Sequence, residues 1–199
     1  KSFLDTSSVI KSHTSFGLTR AYHLMFLSMI YDFSYNGLDS KQRNYLNDQL
    51  YDLILNLSLS MGRSANYSNI SNWMAIRYSA IMMGTLVVDS LNTEYDHDLI
   101  SSLQFEATNR YFEYFDIGMH ELGFHKESMG YFKYACSFIA PAFAFIRNRY
   151  PKMNLKQMAP KMNHFLAANY SSAIAISTYD DAKGIKPDLS DDNIFMYNN

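Results

Sequence analysis

The sequence predicts an all-α fold, and three observations carry that prediction. Apolar residues return at helical spacing in one segment after another. Capping signals and breakers fall between those segments. Strand signals are poor, with Ala173 to Thr178 the one arguable run. At 199 residues the chain fits one domain with room for a sizeable core. Aromatic residues make up 16% of it, 16 Tyr and 14 Phe among them, which suits a thick helical core and also suits stacking against sugars.

Residues 1–18 are polar with scattered apolar positions and read as an arm or as the tail of an earlier helix. The first clear helix runs from Thr19 to Tyr35. Ala21, Leu24, Met25, Met29 and Ile30 are apolar, and Tyr22, Phe26 and Leu27 fill the other sides. A helix apolar nearly all round predicts an inner position. Asn36-Gly37 ends it, with glycine as a left-handed cap. Asp39 opens the second helix with Gln42 three residues on, a capping box. Leu46, Leu50, Leu53, Ile54 and Leu57 make one stripe, and Lys41, Arg43, Asn47 and Asp48 make the opposite, polar face.

Residues 58–71 read as a loop by composition. A third helix starts near Asn72, with Trp73, Ile76, Ala80, Met83 and Val87 in phase. The fourth runs from about Glu94 to Phe115 on Leu99, Leu103, Ala107, Tyr111 and Tyr114. The fifth spans Tyr131 to Arg149, and Pro141 inside it predicts a kink or a split. A sixth is predicted over residues 154–169, with a break or fresh start at Pro160. Residues 170–199 are loop-rich. Three successive antiparallel helix hairpins of similar length predict an open solenoid or a closed (α/α) toroid.

Composition excludes several functions. A net charge of -2 without a basic run argues against a nucleic-acid partner. Cys136 is the only cysteine, so neither an intramolecular disulfide nor a thiolate metal cluster is expected, and its apolar neighbours predict a buried thiol. No apolar run is long enough to span a bilayer, and no membrane partner is predicted. The chain opens on Lys1 without a signal peptide and reads as a processed product or an excerpt. The sequons at Asn56, Asn66, Asn69 and Asn169 read as chance in a chain rich in Asn and Ser. His120-Glu121 with His125 invites a zinc reading, but an i, i+5 spacing puts the two histidines about 140° apart on a helix. The aspartates at 180, 181, 188, 191 and 192 lack the glycine and glutamate positions of a calcium loop. Neither metal nor cofactor is predicted.

The stretch from Phe124 to Tyr134, FHKESMGYFKY, gathers polar and aromatic side chains at the mouth of the fifth helix. There the sequence resembles a family. Tyr31-Asp32, then Leu38-Asp39-Ser40 with Gln42-Arg43, is similar to a pattern early in the toroid of heparinase II/III-like and alginate-lyase-like polysaccharide lyases. Asn72-Trp73 resembles their Asn-rich helix start, and Glu127 with Gly130-Tyr131-Phe132 and Tyr134 resembles their tyrosine segment. The 59 residues between Asn72 and Tyr131 agree with the family spacing. The resemblance covers about residues 20–150 and implies the first half of a toroid, a single helical domain over 1–199, normally followed by a β-sandwich domain.

The resemblance implies β-elimination on an acidic, uronate-containing glycan in the periplasm or outside the cell, with no cofactor. Asn72 would neutralise the substrate carboxylate and Tyr131 would carry the proton. His125, Lys126 or Arg77 would supply positive charge to the phenol. Trp73 stands where many of these lyases carry His, so either His125 or a residue outside the chain compensates, or Tyr131 acts alone, or the protein binds without cleaving. Trp73, Arg77, Glu127 and Tyr134 are the candidate substrate contacts. Each candidate also has a structural reading: a core-edge aromatic for Tyr131, a helix cap for Asn72, a first-turn acid for Glu127, core packing for Trp73 and a surface ion pair for Arg77. A toroid glycoside hydrolase would need two acids, with Asp180 or Asp181 as partner to Glu127.

Overall fold

A computed structural model describes residues 17–62, 71–88, 92–121, 125–127, 129–152 and 161. The described residues form five α-helices and no named strand. They are α1 (Leu18–Ser34), α2 (Ser40–Gly62), α3 (Asn72–Val87), α4 (His97–Gly118) and α5 (Met129–Arg149). The all-α prediction holds. The predicted helix over 154–169 apart from residue 161, the run from Ala173 to Thr178, the aspartates of 180–192, residues 1–16 of the arm and the sequons at Asn66, Asn69 and Asn169 lie outside the described residues.

The α1–α2 junction follows local chemistry. Asp39 N donates to Gln42 Oε1 at 2.9 Å, and Gln42 N donates to Asp39 Oδ1 at 2.8 Å, so the predicted capping box forms. The end of α1 differs from expectation. Gly37 closes a 3₁₀ turn over Tyr35–Gly37, and the positive φ among the described glycines belongs to Gly17 (82°), which starts α1. The carbonyl of Tyr35 accepts from Leu38 N at 3.3 Å and from Arg43 Nε at 3.1 Å, with the Arg43 guanidinium 4.3 Å from the Tyr35 ring centroid. A cation from α2 therefore closes the turn in place of a left-handed glycine.

The inner helix is α3, not α1. Residues Ala75 through Thr85 of α3 are buried without interruption, and the helix packs on α1, α2, α4 and α5. In contrast α1 leaves Phe26, Ile30 and Phe33 exposed. An all-round apolar pattern marks burial only when neighbours exist on every side, and α3 has them. Gly84 permits the closest approach: a Cβ there would lie 2.7 Å from Leu24 Cδ1 and 3.0 Å from Ile54 Cγ1. Leu24, Leu50, Ile54 and Leu57 are wholly buried in the seam, each contributing about 1.5–3 kcal/mol.

Asn47 was placed on the polar face of α2, yet it is buried, and its Nδ2 donates to Tyr31 Oη at 2.9 Å. Helix α2 also continues to Gly62, through the first residues assigned to a loop by composition. Asp96 rather than Glu94 sets the start of α4, accepting from Leu99 N at 2.9 Å. Helix α5 runs unbroken through Pro141. Phe138, Ile139, Ala142 and Ile146 are buried on both sides of the proline, and Tyr111 Oη donates to the Ile139 carbonyl at 2.8 Å. Packing across the position outweighs the one backbone bond that proline removes.

Contacts at both ends give the helix directions. The starts of α1 and α5 meet through Tyr22 and Tyr134, and the start of α3 meets the segment just before α5. The C-terminal turns of α1, α3 and α5 line one common cavity. These three helices therefore run the same way. Near the start of α4, Tyr95 stacks on Tyr51 of α2 at 4.3 Å and donates to Asp48 Oδ1 at 2.8 Å.

Candidate functional site

The site begins at the first turn of α3. Ser71 is the N-cap, its extended backbone (φ -69°, ψ 138°) letting Oγ accept from Trp73 N at 3.3 Å. Asn72 is therefore the first helical residue and not the cap. Its backbone N–H is one of the donors that a helix start leaves without an intrahelical acceptor. The Glu127 carboxylate supplies the acceptor. Asn72 N donates to Oε2 at 2.6 Å and Asn72 Nδ2 donates to Oε1 at 2.9 Å, so two donors of one residue grip one carboxylate. The positive end of the α3 dipole reinforces that charge. Asn72 is 2% exposed, and its Oδ1 is buried without a hydrogen-bond partner.

A short strap holds Glu127 in place. Lys126 N donates to the Gly118 carbonyl at 2.8 Å, and Met119 pairs with His125 in an isolated antiparallel bridge. His125 is wholly buried, with its ring 4.8 Å from Phe132 and nearly parallel to it, and 4.6 Å from Tyr114. Glu127 N donates to His125 Nδ1 at 3.2 Å. An accepting Nδ1 puts the proton of the neutral ring on Nε2. Nε2 faces Gly118 so closely that a Cβ at residue 118 would lie 2.5 Å from it. Burial, with the Lys126 charge adding to it, pushes the His125 pKa down to about 4, so the ring is neutral at physiological pH.

The remaining candidates fall around this core. Tyr131 stands in the first turns of α5 with 45% of its surface exposed. Tyr134, one turn further along α5, accepts from Tyr22 Oη at 3.0 Å, and burial raises its pKa to about 12. Tyr22 also packs edge-on against Phe138 at 4.6 Å. Trp73 is half-buried, and the Arg77 guanidinium lies 5.8 Å from its ring centroid. Arg77 is completely buried in α3, which corrects the surface ion pair offered as its structural alternative.

The structure thus brings Asn72, Glu127 and His125 into one bonded chain, with Tyr131 exposed one turn beyond Glu127. Trp73 and Arg77 pair with each other within α3, and Tyr134 joins Tyr22. Tyr22 and Tyr114 are the participants that sequence reasoning missed. Tyr22 sat among apolar positions of the first helix, and Tyr114 had been placed on a core stripe. Tyr114 Oη is buried without a hydrogen-bond partner, and burial raises its pKa far above the ordinary phenol range. Among the described residues no group of three His, Cys, Asp or Glu gathers to hold a metal ion, and no helix is long and apolar enough to cross a membrane. No family model, curated protein or solved structure matches the chain.

Proposed function

We propose that the chain is the first part of an (α/α) toroid of a polysaccharide lyase acting on a uronate-containing glycan. Alternation in the packing supports the architecture. Helices α1 and α5 run parallel to α3 and pack on it, while α2 packs on α1 and α3 and α4 packs on α3. Successive hairpins with inner and outer helices give that alternation.

One observation carries the chemical reading. The two donors of Asn72 already hold a carboxylate at 2.6 and 2.9 Å, beside the helix that presents exposed Tyr131. A uronate offers the same group. On binding, its carboxylate exchanges with that of Glu127, and the amide and the α3 N-terminus stabilise the negative charge that builds on it. Tyr131 takes the C5 proton; the C4–O4 bond breaks as the C4–C5 double bond forms, and Tyr131 passes a proton to O4. In this reading His125 orients Glu127 and relays no proton to the substrate, because its ring has no exposed surface. Tyr134, with its raised pKa, is a hydrogen-bonding contact and not a base.

The test is incubation of the full-length protein with alginate, heparan sulfate and chondroitin, read by the ultraviolet absorbance of unsaturated uronate ends. Tyr131→Phe abolishes that signal; undiminished activity in the variant refutes the role of Tyr131. A second reading, a glycan-binding helical scaffold without catalysis, is favoured by one specific observation: Asn72 is 2% exposed and its amide is engaged by Glu127. Glycan binding without product, indifferent to Tyr131→Phe, selects it.

A further inference from the structure

A second concavity lies at the opposite end of the same helices. The C-terminal turns of α1, α3 and α5 surround a cavity of about 400 Å³, with Asp32, Tyr35, Val87, Phe145, Asn148 and Arg149 among its walls. The 16 residues of α3 separate it from Asn72 by about 24 Å at 1.5 Å per residue, so it is distinct from the Asn72–Glu127 site.

The walls carry three kinds of surface. Val87 and Phe145 are half-buried and give an apolar floor. Tyr35 stands at the edge with 44% of its surface exposed. The polar groups are of both kinds. The Asp32 carboxylate is an acceptor. Asn148 and Arg149 donate, and Asp32, Asn148 and Arg149 are all exposed and reachable. A volume of this size lies in the range of small-molecule pockets.

We propose that this cavity binds a monosaccharide-sized polyol. A sugar ring meets the requirement of both surfaces at once. Its C–H face lies on the apolar floor and the Tyr35 ring, and its hydroxyls donate to Asp32 while accepting from Asn148 and Arg149. An acidic sugar gains a charged pair with Arg149. A simple amine would pair with Asp32 and make no use of Asn148 and Arg149, and an aliphatic ligand would use none of the three. This assignment stands on the cavity alone and does not depend on lyase chemistry at Asn72.

The experiment is a titration of the isotope-labelled chain with D-glucose, D-glucuronate and putrescine, followed by backbone amide shifts. Glucose and glucuronate are expected to move the signals of residues 86–88 and 145–149, with glucuronate binding more tightly. Asp32→Ala weakens both sugars about tenfold, and Arg149→Ala weakens both and removes the preference for glucuronate. Both side chains are exposed, so neither variant threatens the core. Sugar-induced shifts confined to the surroundings of Tyr131, binding unaffected by Asp32→Ala, or response to putrescine alone each overturn the proposal.

Discussion

His125 makes the stability of the fold pH-dependent in a direction that can be worked out beforehand. Its ring is enclosed by Tyr114, Phe132 and Gly118, and its pKa stands at about 4 against an ordinary value near 6.5. A histidine held neutral in the folded state contributes its full share above the unfolded pKa. As pH falls below about 6.5 the unfolded chain takes up a proton that the folded chain refuses. Stability then declines by about 1.4 kcal/mol per pH unit until the folded pKa is reached. Between pH 7 and pH 5 the loss from this residue is about 2 kcal/mol. Urea unfolding at a series of pH values measures it. His125→Asn supplies the control, since an amide oxygen can still accept from Glu127 N but does not titrate. The wild-type curve should fall about 2 kcal/mol further than the variant curve over that interval. Parallel curves would refute the reasoning and place His125 in water.

Further outcomes follow from the packing. Gly84→Ala places a methyl group 2.7 Å from Leu24 Cδ1 in a seam without space, so the cost of overpacking, about 1–3 kcal/mol, should exceed the gain in helix propensity; a lowered thermal midpoint checks this. Glu127→Gln turns one acceptor of the Asn72 clamp into a donor and removes charge from the α3 N-terminus. A loss of about 1–3 kcal/mol is expected in denaturant titration, with faster amide exchange at residue 72. Tyr111→Phe leaves the Ile139 carbonyl without its phenol donor next to Pro141 and should cost about 1–2 kcal/mol, measured by calorimetry.

What was legible in the sequence was local chemistry. The Asp39–Gln42 box needs three residues and no tertiary partner, and it forms as read. In the stripe of Leu46, Leu50, Leu53, Ile54 and Leu57, all but the half-buried Leu53 are buried, because an amphipathic period leaves the helix no other face to hide. The misreadings share a cause of the opposite kind. Gly37 closes a 3₁₀ turn and not a left-handed cap, and Arg43 of the next helix reaches back to the Tyr35 carbonyl. Pro141 does not break α5 because buried neighbours on both sides hold the helix in register. Asn47 is buried through a bond to a tyrosine on another helix. At the candidate site both Asn72 and Glu127 stood out in the sequence, but their pairing across 55 residues has no local signature. Tyr22 was hidden for the same reason in a chain of 16 tyrosines.

The absence of a side chain at residue 118 gives the molecule a mechanical linkage. The imidazole rests in the hollow that glycine leaves, that ring accepts the amide of residue 127, and the carboxylate of residue 127 grips the opening turn of α3. A single methyl group added on α4 would push the first member of this series and be felt at its last, in a helix that starts 46 residues earlier. Gly118→Ala should therefore disturb Asn72 without touching it, and the three helix ends behave as one coupled joint.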